Sequence, residues 1–302
     1  MANERILPIN QAHVARQFAR RGAAQPFLYA EIAKRMVERL ELIKLAPQRI
    51  VDAGCGSGSG DMLPLLHTRY PHAQITGIDH ASRIALARAA WPDVGLRAKL
   101  RTLTGGAHVT WQAADFGAAP IAQNSVDLLW SNCALHWAAA PHTVIGQWAS
   151  WLKVGGLMMF STFGPDTFKQ IRAAARQAGL PNSTLPFVDM HDFGDMMVAA
   201  GLATPVMDVE VLTLTYSTAE ALIDDVRALG GNAHAQRTPH LVSRERWNKF
   251  LTALRAKPNA DGRIELTVEV AYGHAWKPRP RPPAGVSTIS VESLMASRKT
   301  VR

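Results

Sequence analysis

Cysteine is nearly absent: Cys55 and Cys133 are the only two in 302 residues. A disulfide framework is therefore excluded, and a reducing cytoplasm is the expected compartment. Long apolar runs are missing too. No stretch approaches the roughly 18 uninterrupted apolar residues of a membrane span, so no membrane partner is expected. Met1 to Asn10 lacks the apolar centre of a secretory leader. Two phosphate-binding signatures are also missing. No Gly-Lys-Ser or Gly-Lys-Thr follows a glycine loop, which excludes a P-loop. The dinucleotide spacing Gly-x-Gly-x-x-Gly fails because Ser59 or Asp61 stands where the third glycine belongs.

What is present is a glycine loop of another kind. Arg49-Ile50-Val51-Asp52-Ala53-Gly54-Cys55-Gly56-Ser57-Gly58 is a short apolar strand running into alternate glycines. Glycine has no Cβ, so such a backbone passes very close to a ligand. Asp52 puts a negative charge at the loop's mouth, which disfavours a pyrophosphate and favours a cation or ammonium group. Gln74-Ile75-Thr76-Gly77-Ile78-Asp79 reads as a second buried strand ending in an acid. In a doubly wound sheet a carboxylate in that place accepts hydrogen bonds from a ribose. Val109–Ala113 leads to Ala114-Asp115-Phe116, and Ser125–Asn132 is a fourth buried strand.

These four motifs, in this order, resemble the class I S-adenosylmethionine-dependent methyltransferases. The resemblance implies that S-adenosyl-L-methionine is the cofactor. It places the methionine part against Asp52, Gly54, Gly56 and Gly58 and the ribose at Asp79 beside His80. The adenine amino group then meets Asp115 beside Phe116, and Asn132 closes the site. A bare turn explains the glycines alone, and a helix N-cap explains Asp79 alone. Neither explains the ordered set.

The chain has room for one large domain or two small ones, and 47% hydrophobic residues are ample for a core. Strands are expected at 49–53, 74–79, 108–113, 125–132 and 157–163, with helices at 27–45, 59–69, 81–91 and 142–153. That alternation predicts a mostly parallel sheet with helices on both faces. Gly155-Gly156 is read as a helix stop. Further helices are expected at 165–178, with Pro165 in the first turn, at 189–200, at 218–229 and at 243–254. Strands at 206–214 and 265–272 complete seven. About 50 residues separate these last two strands, too many for a bare loop. The expected fold is therefore an α/β, Rossmann-like class I methyltransferase with a seven-stranded sheet and a small helical cap. Its divisions are a flexible basic segment (1–26), the core (27–211), the cap (212–264), the last core strand (265–277) and a disordered Pro/Arg-rich tail (278–302).

More specific text narrows the acceptor. Phe160-Ser161-Thr162-Phe163-Gly164-Pro165-Asp166-Thr167 is followed by Gln170-Ile171-Arg172, then by Asp189–Asp195, Leu212–Tyr216 and Leu229-Gly230-Gly231-Asn232. The last strand closes with Tyr272-Gly273-His274-Ala275-Trp276, and Gln17-Phe18-Ala19-Arg20-Arg21 with Phe27-Leu28-Tyr29 opens the chain. Together they resemble the malonyl-acyl-carrier-protein O-methyltransferases of biotin synthesis over residues 14–277. One departure stands at the start: the family pattern Phe-Ser-Arg-Ala-Ala, with a tyrosine soon after, is here Phe18-Ala19-Arg20-Arg21-Gly22, and the first tyrosine is Tyr29.

The resemblance implies methylation of a free malonyl carboxylate. That acceptor is ionised at neutral pH, so no general base and no metal are expected. Arg172 is the candidate to steer the carboxylate, against a plain surface arginine, and His136 a candidate to position it, against a packing residue. His191, Asp192 and Asp195 are better explained as a helix first turn than as metal ligands. The net charge of +9 suits an acidic carrier protein as partner. Nucleic acid is a weaker reading, since no Asn/Asp-Pro-Pro-Tyr/Phe motif is present and Ser131-Asn132-Cys133-Ala134 stands instead. Two rivals remain: an assembly-factor relative of protein-hydroxylase type, and a methyltransferase for another small acceptor.

Overall fold

Val126-Asp127-Leu128-Leu129-Trp130-Ser131-Asn132 is apolar at successive positions, a pattern that suits a strand covered on both faces. In the computed structural model all but Asp127 are buried. The structure describes residues 6–21, 26–56, 62–90, 108–238 and 241–280. Strands β1 (Arg49–Ala53), β2 (Gln74–Asp79), β3 (His108–Ala113), β4 (Val126–Asn132), β5 (Leu152–Phe163), β6 (Ala203–Tyr216) and β7 (Ile264–Trp276) form one sheet. Its order is β3-β2-β1-β4-β5-β7-β6. The first five strands pair in parallel, and β7 runs antiparallel between β5 and β6. The order reverses beside β1, and ligands in such sheets bind outside the carboxyl ends at that reversal.

Helices cover both faces. Before β3 come α1 (Gln11–Arg20), α2 (Phe27–Glu41), α3 (Met62–Arg69) and α4 (Ala81–Ala90), of which α2 and α3 build the larger core on one face. Helix α2 buries Leu28, Ile32, Met36 and Leu40, one residue per turn. After β4 come α5 (Pro141–Trp151), α6 (Lys169–Gln177) and α7 (Met190–Ala199). Helices α5 and α7 build the opposite core around Ile145, Trp148, Trp151 and Phe193. Helices α8 (Ala219–Ala228) and α9 (Arg244–Arg255) lie between β6 and β7 and return to the first core through Leu222, Ile223, Phe250 and Leu254. No described helix is long and apolar enough to cross a membrane.

Several boundaries differ from expectation for identifiable reasons. The segment 165–168 is a turn, and α6 starts at Lys169. Phe168 sits at φ +62°, which a helix cannot pass. Thr167 holds the turn: its Oγ1 donates to the Glu269 carbonyl at 2.8 Å and accepts from the Glu269 N–H at 3.0 Å. Gly155-Gly156 is no helix stop. Helix α5 already ends at Trp151, and the glycines form an irregularity inside β5, where the register against β4 shifts between Val126 and Leu128. Residues 212–216, expected at the start of the cap, complete β6. The N-terminal segment is not a loose arm where described: α1 is capped by the Asn10 side chain, and Leu7, Ile9 and Val14 are buried against Trp137, Leu185 and Ala233. Most of the expected tail, like Gly58 and the first residues of the 59–69 helix, lies outside the described residues.

Asp127 fixes the amino end of the sheet. Its carboxylate accepts from the N–H groups of Gln48 (3.1 Å) and Arg49 (2.8 Å) and from Lys153 Nζ (3.0 Å). Asp127→Ala is expected to lower unfolding free energy by about 1–2 kcal/mol in urea denaturation, with cofactor affinity unchanged.

Candidate active site

Strand β1 ends in a turn that only glycine can make. Gly54 has φ +80°, and a Cβ there would lie 2.3 Å from the Ala134 Cβ. Its N–H donates to the Ile78 carbonyl at 2.8 Å, and the Cys55 N–H to the same oxygen at 3.1 Å. Gly56 is different. Its φ is +69°, yet a Cβ there would meet nothing within 4 Å. The first glycine is thus required by packing, while the second faces open space.

Strand β2 delivers Asp79 to that space. One carboxylate oxygen accepts from the Gly56 N–H at 2.8 Å and the other from the His80 N–H at 2.7 Å. Burial raises the Asp79 pKa, and these two N–H groups oppose the rise. Asp52 lies beneath, fully buried, and neither of its oxygens has a hydrogen-bond partner among the described residues. Burial, and then the charge of Asp79, push its pKa up to about 8. An unpaired buried carboxylate is costly. A cationic group in the adjacent space would offset that cost.

The space itself is narrow, about 50 Å³. Asp52 does not line it, while Gly54, Gly56, Asp79, His80, Phe116 and Asn132 do. So do Val14, Phe18, Arg21, Tyr29 and Arg83, which sequence reasoning did not assign. The i, i+4 spacing of Val14 and Phe18 is the signal that marks α1 as a packed helix. Asp115 lies outside this lining, exposed, with its Oδ1 accepting from the Gly117 N–H at 2.7 Å. Asn132 is locked in place: its Nδ2 donates to the Tyr29 carbonyl at 2.9 Å and its Oδ1 accepts from Ser161 Oγ at 2.7 Å.

A larger cavity of about 560 Å³ adjoins it beneath the cap. Trp137 lines both spaces and forms the wall they share. The rings of His136, Phe163, Phe168 and Phe187 make the floor, with His136 stacked on Phe163 at 4.5 Å. His136 is buried, and neither ring nitrogen has a hydrogen-bond partner among the described residues. Burial takes its pKa down to about 3, so the ring is neutral at physiological pH. A neutral imidazole still carries one N–H donor. The cap supplies the roof from Ile223, Val226, Leu229, Trp247 and Phe250. Three contacts tie it down: Tyr29 Oη donates to the Leu229 carbonyl at 2.6 Å, Arg21 donates to the Ala228 carbonyl, and Gly230 lies so close that a Cβ would meet the Trp137 ring at 2.4 Å.

Arg172 is placed elsewhere. Its guanidinium donates to the carbonyls of Thr167 and Pro165, closing the turn before α6. It lines a side recess separated from the large cavity by residues 180–185, which border both. It thus holds the turn and does not face the cavity. The cavity's own guanidiniums are Arg227 and Arg237, and no local motif marks either in the sequence.

The Asp52 pKa has a checkable consequence. The folded value lies above the unfolded one, 3.8. Folded protein therefore holds a proton that unfolded chain has lost, and stability falls as pH rises through this window. In cofactor-free protein, Asp52→Asn is expected to raise the denaturation midpoint more at pH 8 than at pH 5. An equal change at both, by thermal melts, would remove Asp52 from this account.

Comparison with known proteins agrees with this geometry. Residues 51–160 match the family model described as a methyltransferase domain. A putative methyltransferase from Bacillus halodurans superposes with a TM-score of 0.56 at 14% identity, over 82% of this chain and all of that one. A malonyl-[acyl-carrier protein] O-methyltransferase from Laribacter hongkongensis is 43% identical, over 84% of this chain and 84% of its own length. One from Methylovorus is 39% identical over 96% of this chain and 97% of its own. The fold, the glycine turn and this identity across nearly the whole length lead to one conclusion: the chain belongs to the malonyl-[acyl-carrier protein] O-methyltransferase family.

Proposed function

We propose that this enzyme transfers a methyl group from S-adenosyl-L-methionine to the free carboxylate of a malonyl thioester on acyl carrier protein. The single observation that carries the reading is the pair of adjoining spaces divided by Trp137, one edged by the glycine turn and the other apolar and cap-covered. The residues of the first space fit the cofactor. Gly56 leaves room for it, Asp79 offers acceptors to its ribose, and Asp52, buried behind the lining and protonated in the free protein, would ionise as the cationic methionine end binds. When bound, S-adenosyl-L-methionine supplies an electrophilic methyl group on a sulfonium.

The chain's remaining task is positioning. A carboxylate is ionised at neutral pH and needs no base. Its attack requires an aligned approach and exclusion of bulk water. The apolar floor and roof of the large cavity exclude water, and His136, whose unpartnered ring nitrogens are buried in that floor, would donate to one acceptor oxygen once the bound acyl group reaches it. The other oxygen is left to react. Methylation removes the negative charge, so the hydrogen bond from the N–H donor weakens to that of a neutral ester carbonyl, which favours release.

The deciding experiment is incubation with methyl-labelled cofactor and malonyl-carrier protein. A base-labile labelled product is expected. Absence of label with the cofactor demonstrably bound would overturn the reading and favour a non-methylating relative. His136→Ala is expected to lower kcat/KM about 10- to 100-fold through loss of a hydrogen bond to a charged group, with cofactor affinity unchanged. Because His136 stays neutral and the acceptor ionised, kcat should show no acid limb between about pH 5 and pH 7. A limb there, in a pH–rate profile at saturating substrate, would restore a role for a titrating base.

A further inference from the structure

The large cavity is much bigger than a three-carbon acyl group needs, and it reaches the surface at exposed Arg227, Pro181, Asn182 and Val242. Its occupant therefore includes the chain that carries the acyl group, and that chain leaves beside α9. The same helix is rich in basic residues. Arg244, Arg246 and Lys249 are exposed, and none is in an ion pair among the described residues. Some basic groups elsewhere are matched, such as Arg39 with Asp208 and Lys153 with Asp127, while others, such as Arg16, Arg20 and Arg176, are not among the described residues; what sets the α9 cations apart is their place beside the cavity mouth. On the neighbouring helix α8, Glu220 is taken up by Arg255 and Asp224 by Arg227. Glu245 is then the one acid on the stretch of α9 from Arg244 to Lys249. Arg237 adds a further positive charge in the cavity lining.

These cations flank the roof. Trp247 and Phe250 of α9 line the cavity, as does Val242 just before it. Arg246 stands four residues before Phe250, one turn away on the helix, so it lies next to the side that lines the cavity. The Arg227 guanidinium lies 5.8 Å from the Trp247 ring centre, joining the α8 and α9 edges of the mouth. A surface that is basic around an apolar opening fits a partner that is acidic around a slender, uncharged arm.

We infer that the exposed first turns of α9, which carry Arg244, Arg246 and Lys249, are the docking surface for an acidic carrier protein, whose acylated arm enters the cavity beside Trp247. The inference rests on the proposed carboxylate methylation and adds the place where the carrier sits. Nucleic acid also seeks basic surfaces, but it has no narrow arm to fill an apolar cavity.

The test is the full-length triple variant Arg244→Glu/Arg246→Glu/Lys249→Glu, assayed on malonyl-carrier protein and on malonyl-pantetheine, which has the arm but no acidic domain. KM for the carrier substrate is expected to rise roughly tenfold or more, with kcat and the constants for malonyl-pantetheine unchanged. The difference should shrink at high salt. An unchanged KM for the carrier substrate overturns the inference, and so does an equal loss on both substrates, which would place these residues in the cavity's integrity. Loss of binding to an RNA oligonucleotide with carrier kinetics intact would assign the surface to nucleic acid and overturn it as well. Direct calorimetric binding of malonyl-carrier protein to both enzymes separates the two readings. If the natural enzyme binds the carrier but transfers no methyl, the activity fails while the surface is still decided by the variant's affinity.

Discussion

Trp137 can wall off two spaces only because two glycines let backbone come close to its neighbourhood. Gly54 packs against Ala134, three residues before it in the chain, and Gly230 packs against the indole itself. The first contact presses the turn after β1 onto the segment leaving β4. The second presses the cap onto that same segment. A side chain at either glycine would need atoms to overlap, and both φ angles are positive, so neither position has an easy substitute. The two spaces and the cap are therefore placed relative to one another by a single short segment, residues 133–137. That segment is buried throughout and anchored by the Cys133 N–H, which donates to Ser161 Oγ at 3.0 Å.

The electrostatics follow from this packing. Bringing β1 and β2 to one edge puts Asp52 and Asp79 near each other in a place water barely reaches. Asp79 is compensated by two backbone N–H groups, whereas Asp52 has no partner among the described residues. Strain of this kind is tolerated where a ligand relieves it. The charge that would relieve it is positive, which is also why the glycine turn does not read as a phosphate cradle. The same logic acts in the opposite sense in the cavity, where burial keeps His136 neutral and lets it donate without adding charge.

The sheet was legible in the sequence because buried strands and acid-terminated edges leave local marks. Asp79, Gly54, Gly56 and Asn132 could be found that way. The N-terminal cover was less visible. Val14 and Phe18 show one turn of helical spacing among charged residues, and what fixes α1 is a distant surface, Trp137 and Ala233. Arg172 illustrates the converse. Its place after a conspicuous loop suggested a substrate contact, yet the positive φ of Phe168 bends the chain so that its guanidinium closes the turn on the Thr167 and Pro165 carbonyls. A sequence records which residues follow a loop but not which way the loop folds, and here one left-handed residue decides it.

Division of labour between core and cap explains why so little conventional catalytic apparatus is needed. The electrophile is supplied by the cofactor and the nucleophile is already charged, so neither needs activation by a side chain. What remains is selection among carboxylates, which are abundant in any cell. A donor such as His136 binds any carboxylate, and an apolar cavity accepts any slender chain. Neither alone discriminates strongly, because a missing methylene or an added one changes binding by only about 1–3 kcal/mol. Selectivity must therefore draw on parts of the substrate remote from the reacting carboxylate, and the largest such part is the carrier itself. That places the burden on the cap: it roofs the large cavity and also presents the basic residues of α9 to solvent, so on the proposed docking, recognition of the carrier and exclusion of water would be built into one pair of helices.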